Sequence, residues 1–150
     1  MHEAQLHAIQ VYLQFREYQK QADPHHLKSS DNRLKLQKLL YYIQGLSLCI
    51  YGKPAFNNKI VAWSYGPVVE DVYYKYKDKG KRSLATPKDV KRISDGLSNI
   101  IDIVIEGYGK YSAISLMELT HKEIPWKNTE KTMEITQDVI KSYFDRVYAK

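Results

Sequence analysis

Apolar residues recur every three or four positions along most of this chain, and in one stretch they alternate instead. From about Glu3 to Gln21, Leu6, Ile9 and Leu13 form one stripe and Ala8, Tyr12 and Phe15 an adjoining one, which predicts a helix buried over a broad face. Asp23-Pro24 ends it, because proline has no N–H and disfavours helical geometry in the residue before it. A second helix is predicted from about Asn32 to Tyr51, capped by Ser29, Ser30 or Asp31 and stopped by Gly52 in left-handed geometry. Its core stripe is Leu36, Leu39, Leu40, Ile43, Leu46 and Ile50. Gln37, Tyr41 and Gln44 make a separate polar-aromatic stripe, with Lys35, Lys38 and Tyr42 beside it. Two readings stand for that stripe. It is either a solvated flank whose rings cover the rim of the core, or a binding surface, since tyrosine offers large area and a hydrogen-bonding tip at small entropic cost.

Lys59 to Ser64 alternates, with Ile60 and Ala62 opposite Val61 and Trp63, and Asn57-Asn58 before it is a turn signal; together they predict a small hairpin. Gly66-Pro67 then starts a third helix, with Pro67 at the first helical position, where its missing N–H costs nothing. Val69, Val72, Tyr73 and Tyr76 form its core stripe, Glu70 and Asp71 sit at its positive end, and Gly80 stops it. Thr86-Pro87 opens a long amphipathic helix carrying Val90, Ile93, Leu97, Ile100, Ile101 and Val104, widened by Ile103 and Ile105 and ending near Gly107-Tyr108-Gly109. A short helix follows over Ser112 to His121, with Ser115 and Glu118 in capping-box spacing, and Pro125 halts it. Trp126 is expected to anchor the next loop, and Asn128 to Lys131 is polar and loop-like. Thr136 caps a last helix with Val139, Ile140, Tyr143, Phe144 and Val147 on one side. The sum is a mainly α (α+β) protein, a compact bundle of about six helices with one short β-hairpin between the second and third, in a single domain over residues 1–150.

Composition narrows the class. Hydrophobic residues are 43% and charged residues 27%, ordinary for a globular protein, and no apolar run approaches the roughly 20 residues of a membrane helix. The start MHEAQLHAIQ has no basic region followed by an apolar core, and the single Cys49 forms no internal disulfide, so a cytoplasmic location without membrane association is expected. A net charge of +6 favours acidic partners, and much of it gathers in Lys75, Lys77, Lys79, Lys81 and Arg82, where a solvated helix end explains it as simply as a nucleic-acid contact.

Catalytic signatures are sparse. No H-E-x-x-H, C-x-x-C, G-x-S-x-G or phosphate-loop pattern occurs. His25 and His26 are adjacent and not four apart, so they lack the spacing that brings two metal ligands onto one helix face. Glu70 and Asp71 point about 100° apart around a helix and make a poor acid–base pair, while Cys49 sits in an apolar helix as a small core residue. No catalytic residue, cofactor or metal is implied, and the protein is read as a non-enzyme; an enzymatic alternative would use Glu70, Asp71 or His121 around Trp63. A nucleic-acid regulator would place Lys35, Lys38 or the later lysine cluster on phosphates, but no helix-turn-helix, RNP strand or zinc finger accompanies them. The most site-like arrangement is Trp63, Tyr65, Gly66 and Pro67, where large aromatics meet a hinge.

The segments KLQKLLYYIQGLSLCIYGKPAF, IVAWSYGPVVEDVYYKYKDKG and LMELTHKEIPW resemble the Panacea domain, the family of SocA-like antitoxins and phage-associated proteins. The family pattern falls on Lys35, Leu36, Gln37, Lys38, Leu39, Tyr41 and Gln44, on Ala62, Trp63, Tyr65, Gly66, Pro67, Val68, Val72 and Tyr73, and on Thr120, His121, Glu123, Pro125 and Trp126. The resemblance implies an antitoxin that neutralises a co-encoded protein toxin by direct contact, with delivery of the toxin to a protease as an alternative. Some members carry an additional DNA-binding domain, for which this chain has no room. The partner-binding set expected from it is Lys35, Gln37, Lys38, Tyr41, Gln44, Trp63, Tyr65, Gly66, Pro67 and Tyr73, a surface with one part on the second helix and one at the aromatic turn.

Overall fold

The computed structural model describes residues 5–10, 12–13, 29–79 and 93–148. Phe15, Asp23-Pro24, His25, His26, Gly80, Lys81, Arg82, Thr86-Pro87 and Val90, and the side chains of Tyr76, Lys77 and Lys79, lie outside the described residues. Residues 5–10 and 12–13 are helical (α1), and Leu6, Ala8, Ile9 and Leu13 are buried as their spacing predicts. The Tyr12 hydroxyl reaches Asp102 at 3.0 Å.

Helix α2 (Ser29–Tyr51) is the axis of the molecule. Every residue from Leu36 to Leu48 is buried, because later helices and the sheet pack around it. Leu36, Leu39, Leu40, Ile43 and Leu46 supply the predicted stripe, whereas Ile50 is half exposed at the end. Gly45 marks the closest crossing: a Cβ there would lie 2.3 Å from the fully buried Phe144 ring. Gly52, at φ +72°, ends the helix by donating its N–H to Leu48 O at 3.1 Å.

Strands β1 (Ile60–Trp63) and β2 (Gly66–Val69) pair antiparallel around the two-residue turn Ser64-Tyr65, with Val61 opposite Val68 and Trp63 opposite Gly66. This corrects the predicted local structure in two ways. The turn lies after β1 and not at Asn57-Asn58, and Gly66-Pro67 opens a strand and not a helix. Pro67 is tolerated because β2 is an edge strand, in the order β2-β1-β3, where one face of the backbone ladder is free of strand partners. The two-residue β3 (Glu134–Ile135), which sequence patterning did not reveal, closes the other side of β1.

Helix α3 (Glu70–Lys79) starts three residues after Pro67, buries Val72 and leaves Tyr73 exposed, against the expectation that Tyr73 joins the core. Helix α4 (Asp95–Tyr108) is capped by Ser94, whose side chain accepts the Leu97 N–H. It buries Leu97, Ile100, Ile101, Val104 and Ile105 but not Ile103. Helix α5 (Ala113–His121) is capped by Ser112, three residues ahead of the predicted Ser115. Pro125 lies inside the one-turn α6 (Ile124–Lys127) and does not end α5. Thr136 caps α7 (Gln137–Tyr148) as predicted, and Ile140 and Phe144 face inward. The fold is mainly α with a small three-stranded antiparallel sheet. Among the described residues no helix is long and apolar enough to cross a membrane.

Candidate functional site

The polar-aromatic stripe of α2 is inside the protein. Gln37, Lys38, Tyr41, Tyr42 and Gln44 are all buried, which corrects both surface readings of this face. Each side chain is matched to a neighbouring group that needs a hydrogen bond. In a strand, alternate residues direct their backbone N–H and C=O to alternate edges, so with Val61 paired to Val68 the groups of Pro67 and Val69 point away from β1. Val69 offers both a donor and an acceptor, and the Gln37 amide answers both: its Oε1 accepts the Val69 N–H at 2.8 Å and its Nε2 donates to Val69 O at 3.3 Å. Pro67 offers only a carbonyl, and Lys38, which in its charged form can only donate, reaches it at 3.0 Å. About two turns further on, Gln44 does the same for the loop before β1, accepting the Ala55 N–H at 2.8 Å and donating to Phe56 O at 2.8 Å. Three side chains of one helix thus stand in for the missing strand partner of β2 and for the turn contacts of 55–56.

Tyr41 and Tyr42 complete this seam. Their hydroxyls donate to Glu123 Oε1 at 2.9 Å and Oε2 at 2.8 Å, so the carboxylate at the start of α6 has both oxygens engaged without a cation. Burial holds Glu123 above the usual carboxylate range, opposed by those two hydrogen bonds. Burial, and then the Glu123 charge, push both tyrosines far up, so they remain neutral donors. Tyr42 stacks on Tyr108 at 3.9 Å, and Tyr41 packs edge-on against Phe144 at 5.6 Å. Lys35, half-buried, donates to Gly109 O at 2.7 Å and ties α2 to the end of α4.

Gly66 shows how closely the hairpin sits on this seam. Its φ is +111°, and a Cβ would lie 2.8 Å from both Lys38 Cε and Thr120 Oγ1. Trp126 fastens the other side, donating from Nε1 to Trp63 O at 2.7 Å. The His121 ring stacks on Trp126 at 4.0 Å and the Lys131 ammonium lies 3.6 Å from its centroid, so Trp126 is an anchor, as its position after Pro125 predicted. Burial pulls His121 below its ordinary value, aided by Lys38 and Lys131 and opposed by a backbone hydrogen bond to Ser64 and by Glu118.

The remaining predicted residues face outward. Tyr65, at the hairpin turn, is 66% exposed, and Tyr73 and Tyr74 on α3 are 41% and 48% exposed. Trp63 is half-buried and meets Tyr73 edge-to-face at 4.8 Å, while Tyr73 meets Tyr74 at 5.3 Å. The predicted set therefore divides into a buried seam (Gln37, Lys38, Tyr41, Gln44, with Gly66 and Pro67), the half-buried Lys35 on the same helix, and an aromatic rim in which Trp63 is half-buried and Tyr65 and Tyr73 are exposed. Tyr74 belongs to the rim although its apolar neighbours gave no sign of it. Glu123 was visible only as one position of the T-H-x-E-x-P-W segment.

Acid–base chemistry is poorly served here. Glu70 lies 3.9 Å from Lys59, Asp71 accepts from Asn58 at 2.6 Å, and Cys49 bonds the Phe144 carbonyl at 3.6 Å. Among the described residues no cluster of three or more His, Cys, Asp or Glu could hold a metal ion.

Residues 36–127, which run from α2 through α6 and enclose both seam and rim, match the family described as Antitoxin SocA-like, Panacea domain. The chain is also 32% identical over 108 residues to Antitoxin SocA of Caulobacter vibrioides (strain NA1000 / CB15N), an alignment covering 63% of this chain and 57% of that protein. This chain therefore spans little more than half the length of that relative. No solved structure matches it. Because the matched region covers more than half of the chain, the protein belongs to the SocA-like antitoxin family and is built around its Panacea domain.

Proposed function

We propose that this protein is an antitoxin that neutralises a co-encoded protein toxin by direct, stoichiometric contact, and that it docks the toxin through the aromatic rim of the hairpin. The observation that carries the second half is the exposed Trp63–Tyr73–Tyr74 array with Tyr65 beside it in sequence. Tyrosine and tryptophan supply much of the energy of protein interfaces, because they bury large area with few rotatable bonds and keep a polar tip. Rings that the interior does not need are available for that purpose. The seam below supports the reading from the other side, since it fixes the hairpin on α2 through buried hydrogen bonds and so presents the rim with little ordering cost on binding.

Family membership supports a regulatory, non-enzymatic role. The test is genetic and then physical. The reading frame beside this chain should arrest growth when expressed alone, co-expression of this chain should restore growth, and the two purified proteins should form a complex. A neighbour that is harmless, or whose toxicity this chain does not relieve, would refute the antitoxin reading. Rescue with loss of the toxin from the cell, and no complex in vitro, would instead point to delivery to a protease.

A further inference from the structure

The contact between hairpin and α2 depends on an amine that has no counter-charge among the described residues. Lys38 is fully buried, and the hydrogen bond it makes among the described residues is the one from Nζ to Pro67 O. The half-buried acid of the same region, Glu123, has its two oxygens occupied by Tyr41 and Tyr42. An ammonium presents three donors, and burying it with one acceptor and no carboxylate is costly; the uncharged amine avoids that cost and still donates to the carbonyl. The packing around the amine is close. The hairpin backbone at Gly66 is pressed so closely against Lys38 Cε and Thr120 Oγ1 that a methyl group would not fit.

The groups around Lys38 are few. Strand β2 brings no ionisable side chain, α5 brings Thr120 and His121, the link to α6 brings Glu123, and α2 itself brings Tyr41 and Tyr42. The tyrosines stay neutral at any ordinary pH. Burial lowers Lys38 to about 7, so it changes charge near neutrality, while burial pulls His121 below its ordinary value and holds Glu123 above its own.

We propose that Lys38 is a positioning residue for the docking hairpin: as an uncharged amine it holds Pro67 against α2, and on taking up a proton it loosens the hairpin, so that the aromatic rim is presented in a pH-dependent way. The docking half rests on the antitoxin reading; the loosening does not. The sign follows from which form fits. Protonation favours a hairpin lifted far enough to let water reach the ammonium, so the hairpin loosens progressively as pH falls from the range of an exposed lysine towards 7, and the effect levels off below 7, where Lys38 is protonated in both forms.

Amide hydrogen exchange on the full chain tests the loosening without any partner. Once intrinsic rates are divided out, protection at Val61 and Val68, the paired residues of the hairpin, should fall about tenfold from pH 8 to pH 6 relative to amides of α7, the change expected when the competent form follows one group titrating near 7. Lys38→Met should flatten this profile, and His121→Gln should keep it. A flat wild-type profile would overturn the proposal, as would a dependence that survives Lys38→Met and disappears in His121→Gln. Should Lys38→Met fail to fold, the wild-type and His121→Gln profiles still decide. For the docking half, the product of the neighbouring reading frame should bind about tenfold more weakly at pH 6 than at pH 8. Equal affinity at the two pH values removes the link between Lys38 and docking, whereas no binding at pH 8 removes the toxin reading and leaves the exchange result standing.

Discussion

The seam along α2 and the rim around Trp63 are built from the same kinds of residue, yet one is sealed inside the protein and the other faces solvent. Tyr41 and Tyr42 have no measurable exposure, while Tyr65 and Tyr74 keep about half or more of theirs. What separates them is the backbone they meet. The seam faces an edge strand, a loop and a helix start, all of which present polar groups that water would otherwise satisfy, and each seam side chain answers one of those groups. The rim rings meet other rings edge-to-face, and Tyr65 meets no other ring among the described residues. Burying a polar side chain is favourable only where it completes another group's hydrogen bonds. A polar-aromatic stripe is therefore not evidence of a surface until its possible partners are known.

The largest test of this difference is Tyr41→Ala. Removing a fully buried ring between Tyr42 and Phe144 leaves a cavity and strips Glu123 of one hydrogen bond, so unfolding free energy should drop by about 3–5 kcal/mol. Chemical denaturation of the purified variant checks it. A loss below about 1 kcal/mol would mean that the seam is loosely packed and that Tyr41 is available to a partner after all.

How much of this was legible in the sequence can be judged from particular residues. The helices with a clean apolar stripe were readable, because Leu97, Ile100, Ile101 and Val104, or Ile140 and Phe144, need only a core to bury them. The direction of the hairpin was not. Gly66-Pro67 is a good helix start by local rules, but in this protein the Gly is needed for close approach to α2 and the Pro tolerates an edge position that Lys38 can serve. The seam was legible as a motif and not as an interior. The facts that bury Gln37 and Lys38 are Val69 and Pro67, about thirty residues away in sequence, and no local periodicity carries that information. Glu123 was hidden in the same way, since its partners Tyr41 and Tyr42 lie 82 and 81 residues earlier.

A second, smaller effect is the pH dependence of stability. Lys38 is lowered to about 7 in the folded protein from the 10.5 of an exposed lysine. Between these values the unfolded chain binds a proton that the folded chain does not, so stability rises with pH, by at most roughly 1.4 kcal/mol per unit, or about 2–3 kcal/mol from pH 7 to pH 9. Below 7 both states are protonated and this contribution is flat. Above about 10 the curve should turn down, because tyrosines ionise in the unfolded chain while Tyr41 and Tyr42 stay neutral in the folded one. Denaturation midpoints measured at half-unit intervals from pH 6.5 to 9.5 for the wild type and Lys38→Met give the comparison. The slope should vanish in the variant, and a slope shared by both would assign it to another group.

The smallest stability effect, and the most informative for function, belongs to Tyr65→Ala. Its ring is two-thirds exposed at a turn whose backbone is set by Gly66, so its removal should change unfolding free energy by no more than about 0.5 kcal/mol. If the rim is the docking face, the same change should weaken binding of the neighbouring gene's product by roughly 5- to 30-fold, the range of a ring at the edge of an interface hot spot. Tyr111→Ala provides the control, since Tyr111 is also exposed and lies at the α4–α5 connection, away from the hairpin in the chain. Calorimetric titration at pH 8 separates the cases. Loss in Tyr65→Ala alone places the partner on the hairpin; loss in Tyr111→Ala alone moves the interface to the α4–α5 connection and leaves the rim without a binding role. The value of the pair is that both rings are exposed, so a change in affinity at unchanged unfolding free energy is a change in contact and not in folding.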